Sequence, residues 1–194
     1  MWGDQVNAKS IVKITGLTQL IMSNVIVKGD IVIDGTMGNG NDTLFLANLV
    51  EETGKVISFD IQEKAIMNTK QLLEEHNINK QVELIHDGHE NIEEYISDEI
   101  SGAIFNLGYL PKGDTNLITK SKTTIKAIQS CLKLLKKNGI ITIAIYYGHE
   151  GGEEEKNNVI DYASALDKKL YHVMKMDYIN QKGTPPLLIV IMKK

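Results

Sequence analysis

The chain has 194 residues, a formal net charge of −4, one cysteine and 42% hydrophobic content, values that fit one globular domain. A single thiol, Cys131, excludes an internal disulfide and a cysteine-rich zinc site, and suits a reducing cytosol. No apolar run is long enough for a membrane span and no apolar signal region opens the chain, so a cytoplasmic protein is expected.

In chain order, Lys9–Lys28 reads as a helical lead-in interrupted near Gly16, so 1–29 precede the first strand of a single domain, 1–194. Short β-branched runs then mark strands at Asp30–Asp34, Lys55–Asp60, Gln81–Asp87, Gly102–Asn106, Ile140–Tyr147, Val173–Ile179 and Leu187–Met192. Helical periodicity falls on Thr43–Glu52, which stops at Gly54, on Gln62–His76, and on Thr123–Lys137. Glu153–Lys169 opens with three glutamates, expected as a solvated helix start. It closes with two lysines, the polarity a helix dipole favours.

Alternating strands and helices imply parallel strands joined by right-handed crossovers. The connection between the last two strands, Gln-Lys-Gly-Thr-Pro-Pro, is too short for a crossover and predicts an antiparallel pair. The expected fold is therefore α/β, mostly parallel, with an antiparallel C-terminal strand.

The strongest local signal is Asp34-Gly-Thr36-Met37-Gly38-Asn39-Gly40-Asn-Asp42-Thr43. A strand ends in an acid, turns through spaced glycines and enters a helix, the place where open parallel sheets bind ligands. Glycines let backbone approach a ligand closely. The second strand ends at Asp60, 26 residues after Asp34, where a carboxylate can accept both hydroxyls of a ribose. The third ends at Asp87, which can meet an adenine amino group, and the fourth at Asn106. Each polar residue alone is more often merely solvated. Their common register at one sheet edge argues for a site.

A dinucleotide turn carries GxGxxG directly after the strand. Here the run from Gly38 is Gly-x-Gly-x-x-Thr, and Asp34 precedes it. That acid would repel a pyrophosphate but suits the ammonium of a methionine moiety, directly or through water. S-adenosylmethionine is therefore the expected cofactor.

Asp34-Gly-Thr-Met-Gly-Asn-Gly, Phe59-Asp-Ile-Gln62, Asn106-Leu-Gly-Tyr-Leu-Pro111, Gly148-His-Glu-Gly-Gly152 and Asn180-Gln with Pro185-Pro186 together resemble one bacterial family. It comprises class I S-adenosylmethionine-dependent methyltransferases labelled rRNA methylases, members of which are assigned as tRNA 5-aminomethyl-2-thiouridine methyltransferases. The resemblance runs from about Asp30 to the C-terminus. It implies a Rossmann-like seven-stranded sheet with its last strand antiparallel and helices on both faces. It also implies donor contacts from Asn39, Asp42, Asp60, Gln62, Gly88 and His89; Met37, in the glycine turn, is itself expected to pack near the cofactor. Lys112 and Thr184 depart from the family pattern, in which glycine and asparagine stand there.

The reaction implied is methylation of the 5-aminomethyl group at the tRNA wobble position. Asn106-Leu-Gly-Tyr109 resembles the Asn-Pro-Pro-Tyr signature of nucleobase amine methylases, with Leu107-Gly108 replacing the prolines. There an amide oxygen and a backbone carbonyl hold the amine, and the aromatic ring stacks on the base. His149 is the candidate general base, since histidine titrates near neutrality. The expected partner is a tRNA anticodon stem-loop, with no membrane and no metal; a homodimer is left open. The alternatives are an rRNA or small-amine methyltransferase and a non-catalytic donor-binding module.

All 21 basic residues are lysine, with no arginine to fork onto phosphate. The overall charge therefore argues against nucleic acid, but its distribution does not. Residues 106–139 hold seven lysines and one acid, a local +6, whereas 61–105 carry −7. The positive block begins at the expected acceptor loop, which predicts the face an RNA backbone would use.

Overall fold

The computed structural model describes residues 12–78, 80–108 and 119–194. The first helix, α1 (Ile14–Ser23), leads to β1 (Ile31–Asp34), α2 (Asn41–Val50), β2 (Lys55–Asp60), α3 (Glu63–Glu75) and β3 (Val82–His86). A short helical corner, α4 (Ile92–Tyr95), precedes β4 (Ile100–Leu107), α5 (Ser121–Leu134) and β5 (Leu135–Ile145). The chain closes with α6 (Gly152–Ser164), β6 (Tyr171–Met176) and β7 (Leu187–Lys193).

The seven strands form one sheet in the order β3-β2-β1-β4-β5-β7-β6. Neighbours among the first five are parallel, and β7 runs antiparallel to both β5 and β6. All seven predicted strands are present, and the short Pro-Pro connection makes the antiparallel pair. The sheet and its helices have the class I methyltransferase topology.

Strand periodicity explains the two cores. Ile33, Phe59, Phe105 and Ile143 point to one face and pack with α5 and α6 through Ile128, Cys131 and Val159. Val32, Val56, Ile104 and Ala144 point to the other and pack with α1 and α2 through Met22, Leu46 and Val50. The central strands are buried on both faces, so they read as continuous apolar runs. At about 1.5–3 kcal/mol for each fully buried aliphatic side chain, this double layer supplies most of the folding drive. No helix among the described residues is long and apolar enough to cross a membrane.

Helix limits differ most from the sequence reading in three places, beyond shifts of one or two residues elsewhere. Gly16 does not interrupt the lead-in: it lies in the first turn of α1, and residues 1–11 are outside the described residues. The helix expected to reach Lys137 ends at Leu134, and Lys136 and Lys137 open β5 instead. Leu135 there pairs with Ile100 before a bulge at positive-φ Asn138. The last helix stops at Ser164, short of Lys168 and Lys169. Asp167 accepts the Lys169 N–H at 2.8 Å in a tight turn into β6.

Candidate functional site

The C-terminal ends of β1, β2, β4 and β5 open onto a cavity of about 910 Å3. Eleven of the fourteen sequence-predicted site residues line it: Met37, Gly38, Asn39, Asp42, Asp60, Gln62, Asp87, Gly88, His89, Asn106 and His149. Asp34 and Gly40 do not, and Tyr109, like Lys112, is outside the described residues.

Asp34 differs from its expected role. It is fully buried, with Oδ2 accepting the Thr43 hydroxyl at 2.6 Å and Oδ1 accepting the Thr36 N–H at 3.1 Å. Burial, and next the negative charge of Asp42, push its carboxyl up to about 7, against the two hydrogen bonds. Asp34 therefore braces the glycine turn from beneath. It is not among the residues that line the cavity. Gly40 is likewise structural: its φ is +80°, and a Cβ would meet Thr69 of α3 at 2.8–3.0 Å.

Asp60 sits on the cavity wall with each oxygen already oriented. Oδ2 accepts Gly38 N–H and Oδ1 accepts Gln62 N–H, both at 2.9 Å. A carboxylate oxygen has two lone-pair sites, so one on each oxygen remains for a ligand diol. Asp87 is held by its neighbours: Tyr95 Oη donates to it at 2.8 Å, Gly88 N–H at 2.7 Å and the Asn91 amide at 3.1 Å. The Tyr95 hydroxyl first, then Gly88 N–H, hold its carboxyl below the usual range.

His89 is buried edge-on to Phe105, and its Nδ1 lies 2.8 Å from the Gly35 carbonyl. A carbonyl only accepts, so Nδ1 carries a proton, and in the neutral imidazole Nε2 is the acceptor. That Nε2 is buried and has no hydrogen-bond partner among the described residues.

Asn106 is fixed in the same way. Its Nδ2 donates to Asp42 Oδ2 at 2.6 Å, and its N–H donates to the Thr36 hydroxyl at 2.6 Å. Gln19 of α1 donates to the other Asp42 oxygen at 3.0 Å. A carboxylate cannot donate, so Asp42 settles which end of the amide is oxygen. Asn106 Oδ1 is left as a buried acceptor without a partner among the described residues. His149 shares this end of the cavity, and its Nε2 lies 3.8 Å from where a Cβ on Gly108 would stand. Its ring is seated against Gly152, whose Cβ would come within 2.4 Å of Nδ1.

Several site residues escaped the sequence reading. Gln19, Thr36, Thr119 and Tyr146 line the cavity, and Glu155 supports it from behind. Glu155 is only 4% exposed, so the three-glutamate helix start is not uniformly solvated. A threonine inside the Asp34-Gly-Thr36 turn was a readable signal. Nothing local distinguished Glu155 from Glu153 and Glu154.

Comparison with known proteins agrees with this geometry. Residues 56–192 match the family described as "Putative rRNA methylase". A chloroplastic tRNA (mnm(5)s(2)U34)-methyltransferase of Arabidopsis thaliana is 34% identical over 192 residues, covering 94% of this chain and 70% of that protein. An rRNA-methylase crystal structure from Clostridium thermocellum is 44% identical with a TM-score of 0.92, covering 94% of this chain and 98% of that one. A Streptococcus mutans methyltransferase solved with SAH is 43% identical with a TM-score of 0.86, covering 93% and 97%. The chain belongs to this rRNA-methylase family and is an S-adenosylmethionine-dependent RNA methyltransferase.

Proposed function

We propose that the chain methylates the 5-aminomethyl group of 5-aminomethyl-2-thiouridine at the wobble position of tRNA. One observation carries the reading: Asn106 Oδ1 is a buried acceptor whose orientation Asp42 dictates. A primary amine brings N–H groups to such an oxygen, whereas an aromatic carbon brings none. The name of the Arabidopsis relative supports the same acceptor.

The polar atoms on the cavity wall fit S-adenosylmethionine. Asp60 keeps a free lone-pair site on each oxygen for a ribose diol, and His89 Nε2 is buried with no partner among the described residues. All of these residues line the one cavity, where Asp87 and Gly88 would hold the adenine, Gln62 the ribose, and Met37, Gly38, Asn39 and Asp42 the methionine moiety. When bound, the cofactor supplies a methyl group already activated by its sulfonium.

The chain then has two tasks. Asn106 Oδ1 accepts one amine N–H and so aims the nitrogen lone pair, a contribution of position and preorganised dipole. The Leu107 and Gly108 carbonyls, each holding one hydrogen bond, retain a second lone pair for the other N–H. His149 takes the proton released as the nitrogen–carbon bond forms. Lys120, which lines the cavity, and exposed Lys122 meet the anticodon backbone.

Labelled donor incubated with separated tRNA and rRNA pools tests this directly. Label should appear in tRNA as 5-methylaminomethyl-2-thiouridine. Label confined to rRNA overturns it.

A further inference from the structure

Glu155 carries a buried carboxylate that the chemistry above does not use. It lies in the first turn of α6, is 4% exposed, and forms no ion pair among the described residues. Its partners are two hydroxyls: Thr119 donates to Oε2 at 2.6 Å and Thr124 of α5 donates to Oε1 at 2.8 Å. Burying a charge against neutral donors is costly, and packing alone would be served better by an apolar side chain.

The consequence runs toward the acceptor corner. Because Glu155 can only accept, the Thr119 hydroxyl must point its proton at Glu155, leaving its lone pairs for another donor. That donor is the Gly108 N–H, at 3.0 Å. Thr119 N–H in turn donates to the Gly108 carbonyl at 3.1 Å, so two bonds join residues eleven apart in sequence. Gly108 has a φ of +147° and stands two residues after Asn106. A Cβ on it would lie 3.3 Å from Tyr146 Cβ and 3.8 Å from His149 Nε2. The clamp therefore ends between the amide that holds the amine and the histidine that takes its proton.

We infer that Glu155 is a positioning residue for methyl transfer, fixing the Gly108 backbone through Thr119. The inference rests on the acceptor corner proposed above. It adds that this corner is set from α6 by a directed chain, N–H to hydroxyl to carboxylate, whose members reinforce one another.

The test compares Thr119→Val, Thr119→Ser and Glu155→Gln with wild type. Three readouts are taken: hydrogen exchange at Gly108, donor affinity by calorimetry, and kcat on whichever RNA pool wild type labels. Thr119→Val keeps shape and loses only the hydroxyl, so it covers the case in which Glu155→Gln folds poorly. Thr119→Val and Glu155→Gln should speed Gly108 exchange and lower kcat, each by about tenfold, with donor affinity unchanged. Thr119→Ser should restore both. Wild-type exchange in Thr119→Val overturns the clamp, and faster exchange with full kcat overturns its role in transfer. If wild type labels no tRNA but does label rRNA, the proposed acceptor falls while the clamp is still decided by these readouts.

Discussion

Asp34 and Asp60 end neighbouring strands, yet one is sealed beneath the glycine turn and the other faces the cavity. In sequence both read alike, because a polar residue at a strand end carries no sign of which way it faces. The difference lies in partners from elsewhere, Thr43 for Asp34 and the backbone of the Gly38 turn for Asp60. Two predictions follow from that contrast. On the proposed diol contact, Asp60→Ala should weaken donor binding by about 1–3 kcal/mol in calorimetry, since it would unpair the diol and loosen the turn; unchanged affinity would remove Asp60 from the site. Asp34 has its folded pKa raised to about 7 from 3.8, so the native state binds the extra proton across that window. Its contribution to stability is complete below about pH 4 and falls as pH rises toward 7. Urea denaturation of Asp34→Asn should lack this component of the slope, and an unaltered pH profile would contradict the assignment.

Elements were legible where periodicity and packing agree. The central strands are β-branched runs buried on both faces, and all seven predicted strands are present, the exposed edge strands β3 and β6 included. Helix ends were less legible, because lysine tolerates a helix end without forcing one. Lys136 and Lys137 looked like a helix terminus, but pairing of Leu135 with Ile100 draws them into β5. The βα turn after β1 was read correctly as glycine-dependent, though for Gly40 the reason is the fit against α3. Gly40→Ala should cost about 1–3 kcal/mol in denaturant unfolding, combining positive-φ strain with collision against Thr69. A loss below about 0.5 kcal/mol would show that α3 yields freely there.

At the scale of the molecule, the fold divides a charge block that sequence arithmetic had joined. α5 runs antiparallel to β4 and β5, so its start lies at the cavity mouth and its end at the far side of the sheet. Its 14 residues span about 21 Å. Lys120 lines the cavity and Lys122 and Lys126 are exposed near it. Lys133 and Lys136 lie at the other end and already pair with Glu93 and Asp30. The sequence arithmetic therefore overstated the basic charge at the cavity, because it joined lysines that the fold separates. Lys122→Glu and Lys126→Glu should weaken tRNA binding, and each should flatten the salt dependence by about one unit of slope. Lys137→Glu, at the far end, should leave both unchanged. Equal effects at the two ends would place RNA elsewhere.

The proposed amine acceptor is the point on which residue, element and molecule converge. Mass spectrometry of nucleosides, after incubating the protein and donor with tRNA bearing 5-aminomethyl-2-thiouridine, measures it most directly. The expected result is conversion to 5-methylaminomethyl-2-thiouridine by wild type and at least about a hundredfold slower conversion by Asn106→Ala, with donor affinity retained. Full activity of Asn106→Ala, or methylation at any other nucleoside in place of this one, would contradict the account.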